Sequence, residues 1–391
     1  MANTLLNVNM ITNSALAILH QKLNFVGSIN RQYDDSFARA GAKIGSTLRI
    51  RLPNQYTIAS GQALSLQDVQ ENNTTLTISS QKHVDTVFTS AELALNIFDF
   101  EKQVLEPAMN VLAANIEADA LSMYNSVYNQ VNGQGNPQTF RNILQGRKIL
   151  RDNLAPPGKL MCRLCTQDNV DMVDSLKGLF QDSKRVAEQY REGVLGETAG
   201  FEFAENTFLN TYTRGAASGY TVNGAGQTGS TLTIQSGSGA INAGDVFTIA
   251  GVYRVHPETK VSTGVLQQFV ATAAVTSGGT SISISPAIVT SGGTQNVTAA
   301  PANSAALTFA GTASTATGQS LAYHPDAFTF ATADLILPEG VHFAARKVLD
   351  GISMRVVRQY DINTDRMPCR IDVLYGYSAI RPQLAVRLAA N

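Results

Sequence analysis

The chain is poor in charge. Only 15% of its 391 residues are Asp, Glu, Lys or Arg, against roughly a quarter in an ordinary soluble domain. Much of its surface must therefore be uncharged or covered by partners. Twenty-nine Lys+Arg stand against thirty Asp+Glu, a net charge of −1 and a pI near 6.5. A dedicated nucleic-acid binder shows a strong basic excess, so that class is set aside. Cysteine is scarce: Cys162, Cys165 and Cys369 cannot build a disulfide scaffold. No Lys or Arg precedes Lys22, and Leu16 to Leu19 is too short for the apolar core of a signal peptide. No run approaches the ~18 apolar residues of a membrane span. These absences describe a soluble protein made and kept in a reducing cytoplasm. At 391 residues, 44% of them hydrophobic, the chain is too long for one core and predicts two or three domains.

Local patterns divide the chain. Leu16, Leu19, Leu23 and Val26 have helical spacing behind the caps Thr12, Asn13 and Ser14, which predicts a short amphipathic helix over 12–26 that docks on something else. Leu48, Ile50 and Leu52 alternate with Arg49 and Arg51 and stop at Pro53, a strand pattern; a second runs from Thr74 to Ile78. The polar stretch Gln55–Asn73 between them has no helical stripe, so the pair reads as a long hairpin arm. A two-stranded ribbon is marginal in water and cannot bury its own faces. Thr89-Ser90-Ala91-Glu92 is a capping box. Beyond it Leu105, Met109, Leu112, Ile116, Ala120, Met123 and Val127 step by threes and fours and predict a helix over 104–129. At about 1.5 Å per residue that spine is roughly 39 Å long, with Pro107 in its first turn. Residues 139–211 then alternate types: helix around Phe140 to Ile149, strand Lys159–Cys165, helix Asn169–Phe180. This is the pattern of an α/β unit.

Composition changes at Tyr212. Between 212 and 320 the charged residues are Arg214, Asp245, Arg254, Glu258 and Lys260 alone. Thr231–Ile234, Asp245–Tyr253, Leu266–Val275, Ser281–Ile288 and Ala306–Phe309 are β-like runs separated by turns such as Ser277-Gly278-Gly279 and Ser291-Gly292-Gly293. A low-complexity linker lacks such evenly spaced apolar runs, so an inserted all-β domain is expected, with Val246, Phe247 and Ile249 as core or barrel-wall contacts. Residues 352–360 and 368–388 again read as strands. From Arg346 to Arg387 eight Lys/Arg face four Asp/Glu, the balance of a solvated or subunit-facing surface.

Chemistry-bearing motifs are weak. Cys162 and Cys165 form a C-x-x-C, but a structural zinc needs four ligands and a thioredoxin-type site sits at a helix start, so buried thiols are expected. Gly224 to Gly229 spells G-x-G-x-x-G, yet Ser230 to Ile234 after it is strand-like and no helix follows to meet a pyrophosphate, so it is a turn. Gly41 to Thr47 lacks the lysine of a phosphate loop. His20, His83, His256, His324 and His342 have no partners at ligand or triad spacing, no G-x-S-x-G occurs, and Asp34-Asp35 falls in a loop. No catalytic, cofactor-binding or metal-ligating residue is assigned, and an enzyme is not expected.

Read in order, these parts resemble a major capsid protein of tailed bacteriophages with the Hong Kong 97-type fold, nearest to P-twenty-two-like coat proteins that carry an inserted β-barrel. Gly193 to Asn206 resembles the family's G-x-x-A-G-F-(D/E)-hydrophobic-x-x-(S/N) strand and turn. Ala243 to Tyr253 resembles the G-D-x-hydrophobic core strand of the insertion. Cys369-Arg370-Ile371 through Tyr375-Gly376 to Arg381-Pro382 resembles the closing C-R-I…Y-G…R-P segment. The resemblance implies an α+β fold: an N-terminal arm (1–46), an E-loop hairpin (47–88) and a peripheral domain with the spine helix (89–133). The axial domain follows (134–211, returning at 323–351), interrupted by the inserted barrel (212–322), and 352–391 supplies peripheral strands and the C-terminus. It implies a structural subunit that self-assembles into an icosahedral virion shell, put together in the host bacterial cytoplasm. The implied partners are its own copies as pentamers and hexamers, a scaffolding protein, a portal, as a further candidate a decoration protein, and double-stranded DNA enclosed without sequence-specific binding. No scaffold or protease-removed segment precedes the arm, so a separate scaffolding protein is expected; no cofactor and no membrane are. A non-viral, encapsulin-like compartment shell is the alternative, which a cargo-enzyme gene beside this one would favour. A secreted adhesin would explain 212–320 but conflicts with the missing signal peptide and the long spine.

Overall fold

The N-terminal apolar spacing folds as two short pieces. Residues 14–19 are helical, Leu23 and Asn24 are not, and α1 follows at Phe25–Ser28. The computed structural model describes residues 14–19, 23–31, 47–58, 61–62, 66, 73–89, 106–176, 196–209, 211–349, 351–364 and 366–391. They form two compact units, each taken by itself below: Met1–Ile50, Asn73–Leu121 and Phe328–Ser378 in one, Arg51–Asn72, Ser122–Ala327 and Ala379–Asn391 in the other.

In the first unit Leu16, Leu19, Leu23 and Val26 are all buried, so the N-terminal segment docks on its own chain. The backbone N–H groups of Phe25 and Val26 donate to the carboxylate of Glu117, a residue of α2 (Glu106–Leu121). Satisfying those N–H groups lets Glu117 itself lie buried. α2 is about 24 Å long, shorter than expected. After Leu121 the chain tightens into a 3₁₀ turn at Ser122–Ser126, where the Ser126 hydroxyl donates to the Met123 carbonyl at 2.6 Å. Met109, Leu112, Ile116, Ala120, Met123 and Val127 are buried as the periodicity predicts, while Asn115 is exposed and donates to the Val111 carbonyl. Leu105 and the Ser90–Glu92 part of the capping box fall outside the described residues.

Strands β1 (Thr47–Arg51) and β2 (Asn73–Thr77) pair as a two-stranded sheet, in which Ile50 and Leu76 are the buried members. β3 (Ser80–Thr89), which the sequence places within the hairpin arm, belongs to a larger sheet. It runs antiparallel to β19 (Arg366–Ala379) from Ser80↔Tyr375 to Thr89↔Arg366. The order of that sheet is β16 (Phe328–Ala333), β19, β18 (Ile352–Arg358), β17 (Phe343–Leu349), with β3 also on β19. α2 lies on it: the Tyr375 hydroxyl donates to Asp119 and Lys82 pairs with the same carboxylate at 3.3 Å. Fully buried Asp372 is paired by Arg355 and Arg370, which carries its charge without an uncompensated desolvation cost.

The second unit holds an α/β sheet and an inserted barrel. The sheet order is β4 (Gln130–Gly133), β20 (Ala385–Ala390), β15 (Ala316–Tyr323), β5 (Leu160–Leu164), β7 (Phe201–Glu205), β6 (Glu197–Thr198), with β8 (Tyr212–Thr213) on β15. β4–β20 and β5–β7 are parallel pairs. Two helices belong to it: α3 (Phe140–Asp152), capped by the Thr139 hydroxyl, and α4 (Thr166–Leu176). The last strand thus leaves the sheet of β18 and β19 and lies between β4 and β15, so 352–391 serves both units.

All five β-like runs of the uncharged stretch are strands. β9 (Thr221–Val222), β10 (Gly229–Gln235), β11 (Val246–Val255), β12 (Ser262–Ala271), β13 (Ser281–Ile288) and β14 (Leu307–Phe309) form a sheet in the order β14-β11-β12-β13-β10-β9. Its ends meet: Leu307 N donates to Tyr220 O at 3.0 Å, Val222 N to Ala305 O at 2.9 Å, and Thr221 bridges Ala306. Joining first strand to last removes the exposed edges and makes a near-closed barrel. Phe247, Ile249, Leu232, Phe269 and Ile282 pack inside it, fully buried. The linker reading is excluded.

Candidate functional site: the neck of the inserted domain

The chain enters the barrel at Tyr212–Gly215 and leaves it at Gly311–Thr317, and here its scarce charges gather. Asp245, 1% exposed, sits at the start of β11 and accepts from the Tyr212 hydroxyl at 2.8 Å, from Asn242 N at 2.8 Å and from Gly215 N at 3.1 Å. A side chain at 215 has no space, since a Cβ would stand 2.4 Å from the Ala240 carbonyl oxygen. Arg387 reaches the neck from β20. It is 1% exposed, donates to the Gly244 carbonyl at 2.6 Å, and its guanidinium lies 5.6 Å from the Tyr212 ring centre, a cation–π arrangement. Arg214 ties the two crossing strands, donating to Gly311 O at 2.8 Å and Ala217 O at 2.6 Å while lying over Phe309.

A second set of contacts holds the barrel from outside the neck. Gln130 N donates to the Gln268 side-chain oxygen at 2.9 Å, and the Gln268 amide returns the bond to Gln130 O at 3.0 Å. Arg254 on β11 pairs with Asp152 at the end of α3 at 3.2 Å. Tyr128 closes an apolar cluster with Val246 and Val270. Burial pulls the Arg387 guanidinium down to about 10, with the Tyr212, Tyr124 and Asp245 groups opposing, so it stays charged at neutral pH. Burial, reinforced by the Asp245 carboxylate, pushes the Tyr212 phenol far above its ordinary value and keeps it a proton donor to that carboxylate. A fixed donor, a fixed cation and a carboxylate whose lone pairs are taken make a joint, with no group poised to give or take a proton from a substrate.

The motifs weighed in the sequence lie elsewhere. Cys162 on β5 and Cys165 just past it are buried, and desolvation raises both thiols, as expected of core residues. Gly224 to Gly229 is a turn feeding β10, with Gly224, Gly226 and Gly229 at positive φ. His256 accepts from Glu258 N and Thr259 N in the β11–β12 turn, and His83 lies 3.0 Å from Asp85. His324, lowered chiefly by burial, accepts from Asp326 N. Among the described residues no cluster of His, Cys, Asp and Glu could hold a metal. His20, Asp34-Asp35 and Gly41–Ser46 lie outside the described residues. Reading for catalysis missed Asp245, Tyr212, Arg214 and Arg387. The available signal was the isolation of Arg214 and Asp245 in a nearly uncharged stretch, since a lone charge in an apolar region needs a buried partner.

The model of a known protein family, "P22 coat protein - gene protein 5", matches residues 37–389. The chain belongs to the P22 coat protein family. It is a major capsid protein of the tailed-phage type, a structural subunit of the icosahedral virion shell and not an enzyme. Its fold is of the Hong Kong 97 type, mixed α/β with a barrel-shaped inserted domain. Among solved structures the chain is similar to Mycobacterium phage Che8, at 12% identity and a TM-score of 0.45 over 94% of this chain and 90% of that one. It is similar to the asymmetric unit of the bacteriophage PhiM1 mature capsid at 11% identity and 0.44, over 88% and 82%. The CUS-3 coat protein I-domain is 32% identical, with a TM-score of 0.19, over 23% of this chain and 93% of that domain. No curated protein matches the chain. The family match carries the assignment.

Proposed function

We propose that this coat protein builds its shell from pentamers and hexamers whose hairpin arms are covered by neighbouring subunits. The observation behind this is the arm itself. Among the described residues β1 and β2 pair only with each other, and the chain between them carries Tyr56, Ile58 and Leu66 at 59%, 91% and 86% exposure. Large apolar side chains on a thin ribbon gain stability when a second copy buries them, and many such weak contacts add up through multivalency. In the proposed division of labour residues 1–46 form the arm, 89–133 the peripheral spine, 134–211 the axial part and 212–322 the inserted domain; β16 and β17, within the 323–351 expected to return to the axial part, instead share the sheet of β18 and β19. A separate scaffolding protein, a portal and a decoration protein are its proposed partners in the host cytoplasm. A net charge of −1 limits repulsion between subunits and suits an inner wall that encloses double-stranded DNA without gripping it.

The test is light scattering and negative-stain microscopy of the chain expressed with and without its neighbouring genes. Closed particles are expected with the scaffold, and Ile58→Asp should reduce their yield while leaving the thermal transition of the free chain in place. Species of the single-chain mass at every concentration, scaffold included, would refute it. A co-expressed cargo enzyme inside the particles would move the assignment to a non-viral compartment.

A further inference from the structure

Two turns of the inserted domain carry the same Ser-Gly-Gly sequence, yet their second glycines do different things. In each the first glycine adopts positive φ, +77 at Gly278 and +83 at Gly292, a conformation that favours glycine. Neither Gly279 nor Gly293 has positive φ. A Cβ on Gly279 would strike its own turn, 2.3 Å from a methyl of Val275. A Cβ on Gly293 would strike a remote backbone instead: 2.2 Å from Gln55 O, 2.8 Å from Gln55 C and 3.4 Å from Tyr56 N. Gly293 is therefore bare because the hairpin arm lies on it. We propose that the turn at 291–296 is a seat for the extended segment 52–58, with Gly293 the point of contact and Lys260 a positioning residue.

The seat is stiffened from below. The Lys260 ammonium donates to Gly293 O at 2.6 Å and to Gln295 O at 3.3 Å, holding both carbonyls of the turn on one side. Partial burial lowers the Lys260 amine from its ordinary value. Gln295 N closes the turn onto Gly292 O at 3.1 Å, and Asn296 locks it to β13 through Ala287 O at 2.6 Å and Val289 N at 3.0 Å. The occupant needs such a rest. Residues 52–58 join no sheet, Pro53 lacks a backbone donor, and Ile58 is 91% exposed three residues beyond the contact. Seating the chain at Gln55 sets where the arm leaves the subunit and so where its apolar residues are offered to a second copy. The seat lies within one chain and stands whether or not the arm is covered in the shell as proposed above.

The test is a disulfide trap in the dilute, unassembled full-length chain carrying Gln55→Cys and Thr294→Cys. Cys162 and Cys165 are buried and Cys369 half-buried, so the new thiols react first under a mild oxidant. An intrachain crosslink is expected, and adding Gly293→Val should lower its yield by at least ~10-fold, because an unseated segment loses its high effective concentration at the turn. Absence of the crosslink, a crosslink only between chains, or an undiminished yield with Gly293→Val would overturn the seat. If Gly293→Val abolishes the β signal of the inserted domain, Lys260→Met supplies the comparison. It should lower the yield several-fold, and an unchanged yield would overturn the proposal equally.

Discussion

Phe247→Ala tests the inserted domain at its centre. Phe247 is fully buried on β11, directly opposite Phe269 on β12 and Phe309 on β14, with ring centres at 6.0 and 5.3 Å. One truncation thus removes a ring shared by two cross-strand pairs near the line where β14 completes the barrel. Phe→Ala in a core costs about 3–5 kcal/mol, and two aromatic neighbours place this site toward the upper end. For a domain of about 100 residues, ~4 °C per kcal/mol converts the loss to a fall of roughly 12–20 °C in Tm. Calorimetry of the full-length chain should show the transition assigned to the barrel moving by that amount. Hydrogen exchange should show β10 to β13 losing protection together, as one cooperative unit. Thr231→Ala, at an exposed position of β10, is the matched control and should stay within ~0.5 kcal/mol. A Phe247→Ala shift no larger than that control would mean the three rings do not form the core described here.

Ile116→Asp should destabilise by several kcal/mol and lower particle yield, because Ile116 is fully buried on α2, whereas Asn115→Asp on the exposed face should be tolerated; equal yields would show that the stripe is not packed. At the neck, Tyr212→Phe removes one hydrogen bond to a buried carboxylate and should cost ~1.5–3 kcal/mol. Asp245→Ala, which leaves Arg387 without that carboxylate and two N–H groups unpaired, should cost ~3–5 kcal/mol in thermal unfolding; equal small effects would refute the joint. Burial pushes the Cys369 thiol up to about 11 from 9.0, so alkylation of the native chain at pH 8 should be slow and rise about tenfold per pH unit toward pH 11. The matching stability term is fully present below pH 9.0 and lost as pH climbs through about 11, and native alkylation as fast as in urea would contradict the burial.

The elements that could be read without a structure are those that bury a regular subset of their own residues. Met109, Leu112, Ile116 and Ala120 recur at helical spacing because one face of α2 is covered, and that spacing is a property of the chain itself. Some runs of the barrel alternate for the same reason, as in the exposed-buried pattern of β13 from Ser281 to Ile284 and in β14. Where burial does not follow a period, prediction failed. Gln81, Lys82, His83 and Asp85 make β3 look like polar arm, and only its long pairing with β19 reveals a sheet strand. The N-terminal stripe was legible, but its partner was not, because the Glu117 carboxylate that receives Phe25 and Val26 is more than ninety residues away.

By itself, then, the sequence determined the type of most elements, the all-β character of 212–320 and, through the order of its motifs, the family. Tertiary structure alone decided that β20 crosses into the α/β sheet, that Asp245 meets Tyr212 while Arg387 reaches the adjoining Gly244 carbonyl, and that Gly293 is bare for the sake of Gln55. Periodicity reports whether a face is covered, since each residue's burial depends on its place in a local repeat. It does not report what covers the face. Strand partners, buried ion pairs and a glycine under a distant backbone are set by contacts between residues far apart in the chain, and their energies exist only once the fold has brought them together.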